Sequence, residues 1–595
     1  MKSNTCAAFL TLLLFIIYPL VNGIETDGSK DMTRFIPDDA LLYIEQHHAS
    51  KALKEFSKSP LGKKFESIDF LKTGQKIGLT DSALLNLQDA LSVYGVIKNN
   101  KILDEILGKS FAIAVLPPID AYPHFNVKEY FIENAIVIAN PKYNTGGINF
   151  FSEIFNRYDE LHPVSTVQYG NHQIKRIQLK EEKVSLVILK GFFVMSLNEK
   201  QLRRCIDTFD DEVPALANNN NFTSIKQKFA KANRFIYFPV DGVRQFITNQ
   251  IADLSFTGKD LLLKEMATTI GFANFGYGSW NKKKRVIDKV VVQYNSDEIN
   301  SVVQDHINAD PSLCSMLALT TENPMAFYWS NTIKMQHLLG YFKERRKVEP
   351  KLEDFSYTIK MVTGVTIEDI FSLLGEEISM VIEPGPQDNF FSFPLAMFFL
   401  RVNNVQALSS VLEKLIDEYE IPVSIKTYGP IRYTFWTPSP QDGLQPLYGF
   451  WDDLIFFGNS SRLLQKVIDR KANDFSLMDD VVVSSLDPGF TEKNNSITYT
   501  NNVAFIKVLQ KWLGFIGMTL AIENKENAYK VHTVLDEIIN PLLDGASMYE
   551  KSFTRSYFTP EMVIIDSITT TKPGPIKKGL TNAKDSRGTQ AIDSF

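Results

Sequence analysis

Two stretches decide the fold of this chain: ILDEILGKSFAIAVLPP (residues 102–118) and DIFSLLGEEISMVIEPG (residues 369–385). In both, a helix-like run ends at Leu-Gly and an apolar, strand-like run follows. Leu107-Gly108 thus aligns with Leu374-Gly375 at an offset of 374 − 107 = 267 residues. A shared order of patterns at a long, nearly constant offset indicates an internal repeat.

The similarity between the two parts of the chain continues after these stretches. Three further pairs keep the same order at offsets between 259 and 262 residues: Tyr169-Gly170 with Tyr428-Gly429, the hairpin turn Lys190-Gly191 with Asp452-Asp453, and Tyr237 with Tyr499. Loop insertions between equivalent elements account for the drift. We therefore expect two similar copies, residues 35–295 and 316–570, connected by a joint at residues 296–315.

Each copy interleaves short apolar or alternating strand patterns with helical patterns such as 199–208 and 405–418. Short turns join most neighbouring strands, which favours antiparallel pairing. The fold class predicted is α+β, internally duplicated, with two similar halves that each have a mostly antiparallel sheet and helices packed on one face.

The N-terminus has the pattern of an export signal. Lys2 precedes an apolar run at residues 9–18, Pro19 breaks it, and Gly23 offers a cleavage site, so residues 1–23 are predicted to be removed. The run is shorter than the ~20 residues needed to span a bilayer. The apolar window 512–522 is also too short and is expected to be a core segment. We expect the mature chain to be periplasmic or secreted and to have no transmembrane span. Residues 571–595 are predicted to form a disordered tail.

Composition excludes several classes of protein. The chain has 595 residues and 44 % apolar side chains, and 63 Lys and Arg against 69 Asp and Glu give a net charge of −6. This balance gives no reason to expect nucleic acid as a partner. Cys205 and Cys314 remain after the signal, too few for a disulfide scaffold. They could form one bridge or remain two free thiols.

Several quoted segments carry a family resemblance. They are FIPDDALLYIE (35–45), SKSPLGKKF (57–65), VTIEDIFSLLGEEISMVIEPG (365–385) and ALSSVLEKL (407–415). The chain resembles the bacterial domain-of-unknown-function 3352 family over most of its mature length. The resemblance implies an exported protein of the bacterial cell envelope and provides no active-site residues.

Polar clusters have plain structural interpretations. His47-His48 lies where the first strand gives way to a helix, and we interpret both side chains as solvated loop residues. The pairs Glu376-Glu377, Asp452-Asp453 and Asp479-Asp480 suit turns, where Asp bonds nearby backbone amides. The basic run 282–285 is predicted to be a solvated hairpin tip, with contact to an anionic polymer or lipid headgroup as the alternative.

The Leu-Gly pairs are predicted to be structural. Each is expected to end a helix, with Gly108 and Gly375 in the left-handed conformation that glycine adopts without Cβ strain. Replacement by valine would then destabilise the copy that contains it.

The sequence contains no zinc, nucleophile-elbow or phosphate-loop motif, and it predicts no catalytic, cofactor-binding or metal-binding residue and no cofactor. The function predicted is non-enzymatic binding or scaffolding of an unidentified envelope ligand or protein, with a pocket between the copies as the default site. The alternative is a hydrolase of envelope polymers or lipids, assembled in three dimensions from distant side chains. Its candidate residues are His47, His124, His172, His337, Glu376 and Asp452.

Overall fold

The computed structural model describes residues 31–99, 109–119, 127–141, 163–179, 182–251, 263, 266–282, 284–299, 301–347, 349–385, 393–437, 445–486, 488–523 and 525–572. Residues 1–30 and 573–595 lie outside it, so the predicted export signal and the tail beyond Lys572 are not described. The same is true of Leu107-Gly108 and of His124.

The described residues form one sheet of 20 strands, all paired antiparallel. The strands of the first half are β1 (Leu42–His47), β2 (Ser110–Val115), β3 (Ala135–Asn140), β4 (Pro163–Tyr169), β5 (His172–Leu179), β6 (Glu182–Leu189), β7 (Phe192–Ser196), β8 (Arg234–Pro239), β9 (Phe272–Lys282) and β10 (Arg285–Tyr294). Those of the second half are β11 (Ala326–Ser330), β12 (Leu374–Glu383), β13 (Leu395–Val402), β14 (Val423–Tyr428), β15 (Ile431–Trp436), β16 (Leu447–Trp451), β17 (Leu454–Gly458), β18 (Ser496–Asn501), β19 (Tyr549–Thr559) and β20 (Met562–Thr571).

The two halves pair their strands in the same order. The first half runs β4-β5-β6-β7-β3-β2-β1-β8-β9-β10 across the sheet. The second runs β14-β15-β16-β17-β13-β12-β11-β18-β19-β20. β10 pairs with β20 over nine residues and joins the halves into one continuous sheet.

Helices follow the strands in both halves. In the first half they are α1 (Ala49–Lys58), α2 (Pro60–Ser67), α3 (Phe70–Lys76), α4 (Asp81–Asn99), α5 (Val127–Glu133), α6 (Glu199–Phe209), α7 (Asn220–Gln227) and α8 (Val240–Ile251). In the joint and the second half they are α9 (Ser301–Ile307), α10 (Met335–Arg346), α11 (Pro350–Thr363), α12 (Ile367–Ser372), α13 (Val405–Glu418), α14 (Ser461–Ala472), α15 (Val481–Leu486), α16 (Asn502–Glu523), α17 (Lys525–Val534) and α18 (Asn540–Ala546). A π-helical turn, Leu535–Ile539, separates the last two.

Helices pack on both faces of the sheet, which corrects the expectation of one helical face. Along β2, Ala112 and Ala114 join the core that contains α6, whereas Val115 packs with Tyr130 of α5. Along β13, Phe399 joins the core that contains α14, whereas Val402 packs beneath α13. Successive residues of a strand point to opposite faces of the sheet, so side chains on both faces of β2 and of β13 are buried.

Local features recur at equivalent places in the two halves. Tyr169 donates a hydrogen bond from its hydroxyl to Asp207 of α6 at 3.2 Å, and Tyr428 donates one to Asp469 of α14 at 3.0 Å. Gly170 (φ 53°) and Gly429 (φ 55°) adopt the left-handed conformation in the turns of the β4–β5 and β14–β15 hairpins. The predicted helices 199–208 and 405–418 are confirmed as α6 and α13, and the hairpin turns at Lys190-Gly191 and Asp452-Asp453 also occur as predicted.

The apolar window 512–522 lies in the C-terminal half of α16, and its prediction as a core segment is wrong in part. Phe515, Ile516 and Met518 are exposed. Within the described parts of the chain, no helix combines the length and apolar character needed to cross a membrane.

Cys205 and Cys314 are both free thiols. Cys205 lies on the buried face of α6, and Cys314 lies in the joint. Burial raises the pKa of each thiol well above its ordinary value. The structure therefore selects the free-thiol alternative.

Candidate polar cleft

A polar cleft of about 630 Å³ lies where the joint meets one edge of the second half's sheet. The joint contributes Asp310, the end of β11 leads into Asn331, and Lys334 caps the start of α10. The opposite wall comes from the start of β12 and the end of β13, which bring Glu376-Glu377 and Arg401 into the cleft. The site thus lies between the joint and one copy, and not between the two copies.

A bulge at the start of β12 places the two glutamates. Leu374 pairs with Val402 and Ile378 pairs with Leu400, so three residues of β12 stand opposite Arg401 alone. Bulges re-aim side chains and are common next to functional sites. Here the bulge turns Glu376 outward to solvent and holds Glu377 in a half-buried position. The interpretation of this pair as simple turn residues is therefore wrong.

Gly375 lies within the bulge, and its prediction as a left-handed helix cap is wrong. It belongs to β12, and it is absent from the glycines with positive φ. The physical reason for glycine is a close approach: a Cβ atom at this position would lie 3.0 Å from Arg401 Cβ and 3.1 Å from the Arg401 carbonyl oxygen. The α12 helix ends at Ser372, and Leu373 is its C-cap, two residues before Gly375.

The Gly375→Ala variant is expected to lower the free energy of unfolding by about 1 to 2 kcal/mol, because the backbone of β13 must move to admit the methyl group. Gly340→Ala is the matched control. Gly340 lies inside α10 with no atom within 4 Å of its Cβ position, so alanine there should stabilise the protein by roughly 0.5 to 1 kcal/mol. Urea unfolding of both variants measures the difference, and equal shifts would refute the close-approach explanation.

Arg401 and Glu377 are the centre of a charged network. The Arg401 guanidinium donates to Glu377 Oε2 from Nε at 2.7 Å and also contacts Asp453 of the β16–β17 turn. Trp329 Nε1 donates to Glu377 Oε1 at 2.7 Å, and Ser315 Oγ donates to the same oxygen at 2.6 Å. Burial alone would lower the pKa of Arg401, but the bonds to Glu377 and the charge of Asp453 raise it. The network ties three strands, a hairpin turn and the joint together.

Lys334, Asn331 and Asn403 complete the polar wall. Lys334 Nζ lies 2.5 Å from Glu376 Oε2. The Asn331 amide donates to the Asp310 carbonyl oxygen at 3.0 Å and to Ser312 Oγ at 2.7 Å. The Asn403 amide donates to the carbonyl oxygens of Ser372 and Leu374, at 3.1 and 3.0 Å. Most amide hydrogens of the wall are thus committed to the protein itself.

A buried carboxylate lies in the first half, at Glu45 of β1. Its oxygens accept a hydrogen bond from the Tyr43 hydroxyl at 3.0 Å, and they pair with His47 Nε2 at 3.1 Å and Lys226 Nζ at 3.2 Å. Burial alone would raise the pKa of Glu45, but the hydrogen bond from His47 and the charge of Lys226 lower it to about 2. The interpretation of His47 as a solvated loop residue is wrong, since its side chain is only 12 % exposed.

The other candidate residues of the hydrolase alternative lie apart from the cleft. His172 pairs with Asp210 at 3.0 Å, His337 pairs with Asp305 at 3.1 Å, and Asp452 sits 3.6 Å from Lys471 at a hairpin turn. Of the six, Glu376 alone lines the cleft among the described residues. No group of three or more His, Cys, Asp or Glu within the described ranges is arranged to hold a metal ion.

The acidic pair Asp479-Asp480 and the basic run 282–285 lie at a helix start and at a hairpin turn. Asp480 accepts the backbone N–H of Val482 at 2.8 Å and pairs with Lys551 at 2.9 Å, so it caps α15. Lys282 and Lys284 flank the β9–β10 turn and are exposed, as the hairpin-tip prediction requires.

The sequence analysis does not predict Arg401 or Lys334 as site residues, although a sequence signal exists for Arg401. Arg401 is the single charged residue in the otherwise apolar strand LAMFFLRV, and Glu45 interrupts the apolar run before it in the same way. A lone charge in a strand that is buried on both faces requires a partner. The identity of that partner depends on the register of the neighbouring strands, and residue spacing along the sequence does not predict this register.

Comparison with known proteins identifies no family for this chain. No protein-family model matches the chain, and no curated protein matches it significantly. Solved structures of TP0453 in crystal forms III, IV and I align to it at 10 to 11 % identity with TM-scores of 0.23. They cover 47 to 49 % of this chain and 84 to 91 % of their own. At that TM-score the likeness identifies neither fold nor function, and the family resemblance stays a prediction.

Proposed function

We propose that this chain is an exported, non-enzymatic binding protein of the bacterial cell envelope, and that its polar cleft holds a small polar ligand. The observation that carries the proposal is the state of the cleft's glutamates. Glu377 is fully engaged by Arg401, Trp329 and Ser315, and Glu376 is held by Lys334. These fixed groups suit a preorganised binding site, and the described residues that line the cleft include no histidine or cysteine to serve as proton shuttle or nucleophile.

The hydrolase alternative has no comparable support. It requires at least two candidate groups in one concave site. The histidines at positions 47, 172 and 337 are instead each paired with a carboxylate outside the cleft lining.

We also propose that the two halves arose by duplication and that residues 1–23 direct export. The shared strand order and the equivalent Tyr169–Asp207 and Tyr428–Asp469 bonds support the duplication. The apolar run at 9–18 and the break at Pro19 support the export signal. N-terminal sequencing of the protein recovered from the periplasm or medium should begin at Ile24, and intact Met1-containing protein in washed membranes would refute cleavage after Gly23.

Thermal-shift screening against a panel of small polar compounds tests the binding function. Gln336 is exposed, lines the cleft and makes no side-chain hydrogen bond with any described residue, so Gln336→Trp should fill the cleft without disturbing the charged network. Gln406→Trp, at an exposed position of α13 outside the cleft, is the control. We expect compounds that stabilise the parent protein and the control but not Gln336→Trp. Stabilisation that persists in Gln336→Trp, or enzymatic turnover of a panel compound, would contradict the proposal.

A further inference from the structure

We infer that the ligand of the polar cleft carries a positively charged amine or guanidinium group attached to a short apolar stem. This inference rests on the proposed binding function and specifies the ligand's chemistry. Three features of the cleft support it: the polar atoms that have no hydrogen-bond partner, the balance of charge, and the apolar side chains in the lining.

Carboxylate and amide oxygens of Asp310, Glu376 and Asn403 are uncommitted, whereas the uncommitted donors include the Gln336 amide and the remaining hydrogens of Lys334. The Asp310 side chain is exposed and has no hydrogen bond or ion pair with any described residue. Glu376 uses Oε2 for Lys334, which leaves Oε1 available. Asn403 uses its amide nitrogen for two backbone carbonyls, which leaves Oδ1 available. A ligand that bonds to these three oxygens must donate hydrogens.

Charge favours the same ligand. Three carboxylates line the cleft, at Asp310, Glu376 and Glu377, against two cations, at Lys334 and Arg401. Arg401 also contacts Asp453, which lies just outside the lining, so its charge is shared with a second carboxylate. The cleft therefore has a surplus of negative charge. Hydrogen bonds between an ionised donor and a carboxylate are roughly twice as strong as neutral ones.

Apolar side chains supply the remaining wall. Ala309, Met335, Phe371 and Leu374 line the cleft beside the carboxylates, and Met335 is buried at the start of α10. An alkyl stem can lie against this wall while its charged end reaches Asp310 and Glu376. The absence of a metal-type cluster among the described residues makes an organic cation the better fit than a divalent metal ion.

Isothermal titration with three probes of equal stem length tests the inference: hexylamine, hexanol and hexanoate. We expect hexylamine to bind about tenfold more tightly than hexanol, as loss of a charge-assisted bond implies, and more tightly still than hexanoate. Asp310→Asn should weaken hexylamine by about tenfold and leave hexanol unchanged. Glu561→Gln removes an exposed carboxylate at the β19–β20 turn and is the control that should change neither affinity.

The outcomes separate this inference from the function on which it rests. Hexanoate or hexanol binding as tightly as hexylamine, with all three excluded by Gln336→Trp, would overturn the cationic ligand and leave the cleft as a binding site. Hexylamine binding that is unaffected by both Asp310→Asn and Gln336→Trp would overturn the inference by placing the amine elsewhere. If no compound of any charge binds in the cleft, the proposed function itself fails.

Discussion

Replacing Arg401 by methionine is expected to lower the free energy of unfolding by about 3 kcal/mol, because it leaves the Glu377 carboxylate without its cation. The Glu377 side chain is only 15 % exposed, so water cannot fully replace the guanidinium. The two neutral donors, Trp329 and Ser315, remain but cannot compensate a charge. Urea unfolding at neutral pH measures the loss.

Two further variants isolate this effect. Arg401→Met combined with Glu377→Met removes both charges and should recover part of the stability lost in the single variant, since no buried charge is left unpaired. Arg345→Met breaks an exposed i, i+4 pair with Glu349 and should cost less than about 1 kcal/mol. The unpaired-charge explanation is wrong if Glu377→Met lowers the free energy of unfolding as much in the Arg401→Met variant as it does in the parent protein.

Glu45 is expected to make stability fall in acid. The pKa of its carboxyl is about 2 in the folded protein and 4.5 for an unperturbed glutamate. Because the folded-state pKa is the lower one, the carboxylate stabilises the fold above about pH 4.5, and that contribution is lost as pH falls toward 2. At neutral pH the shift corresponds to roughly 3 kcal/mol, of which about 2 kcal/mol should be lost by pH 3.

The Glu45→Gln variant tests this pH dependence. It should be less stable than the parent protein at pH 7 by roughly 3 kcal/mol, and the gap should narrow to about 1 kcal/mol at pH 3. Glu561→Gln, at an exposed turn, controls for general acid effects and should follow the parent protein at both pH values. Urea midpoints at the two pH values provide the comparison, and a gap between Glu45→Gln and the parent protein that is constant with pH would contradict the assignment.

Alternation and turn chemistry made much of the fold predictable. The Lys190-Gly191 and Asp452-Asp453 hairpins and helix α13 follow from local residues alone, because short turns and 3.6-residue periodicity are local properties. The pairing of β10 with β20 is different. It joins strands 277 residues apart (562 − 285), and no local pattern states which edges meet.

The candidate site was less predictable for the same reason. Glu376-Glu377 was noticed as a pair, but its partners Arg401 and Lys334 come from other elements. Leu-Gly commonly ends helices, so the pattern predicts a helix cap at Gly375, whereas the close approach of Arg401 explains this glycine. A bulge depends on which residue stands opposite, and that requires the register of β12 against β13.

A crystal structure of the protein with the most stabilising compound of the polar panel tests the central claim most directly. The account predicts one bound molecule in the cleft, within hydrogen-bond distance of Asp310 or Glu376, with the Arg401–Glu377 pair unchanged beside it. A compound bound only outside the cleft, or one that displaces Arg401 from Glu377 and shows chemical turnover, would contradict the account.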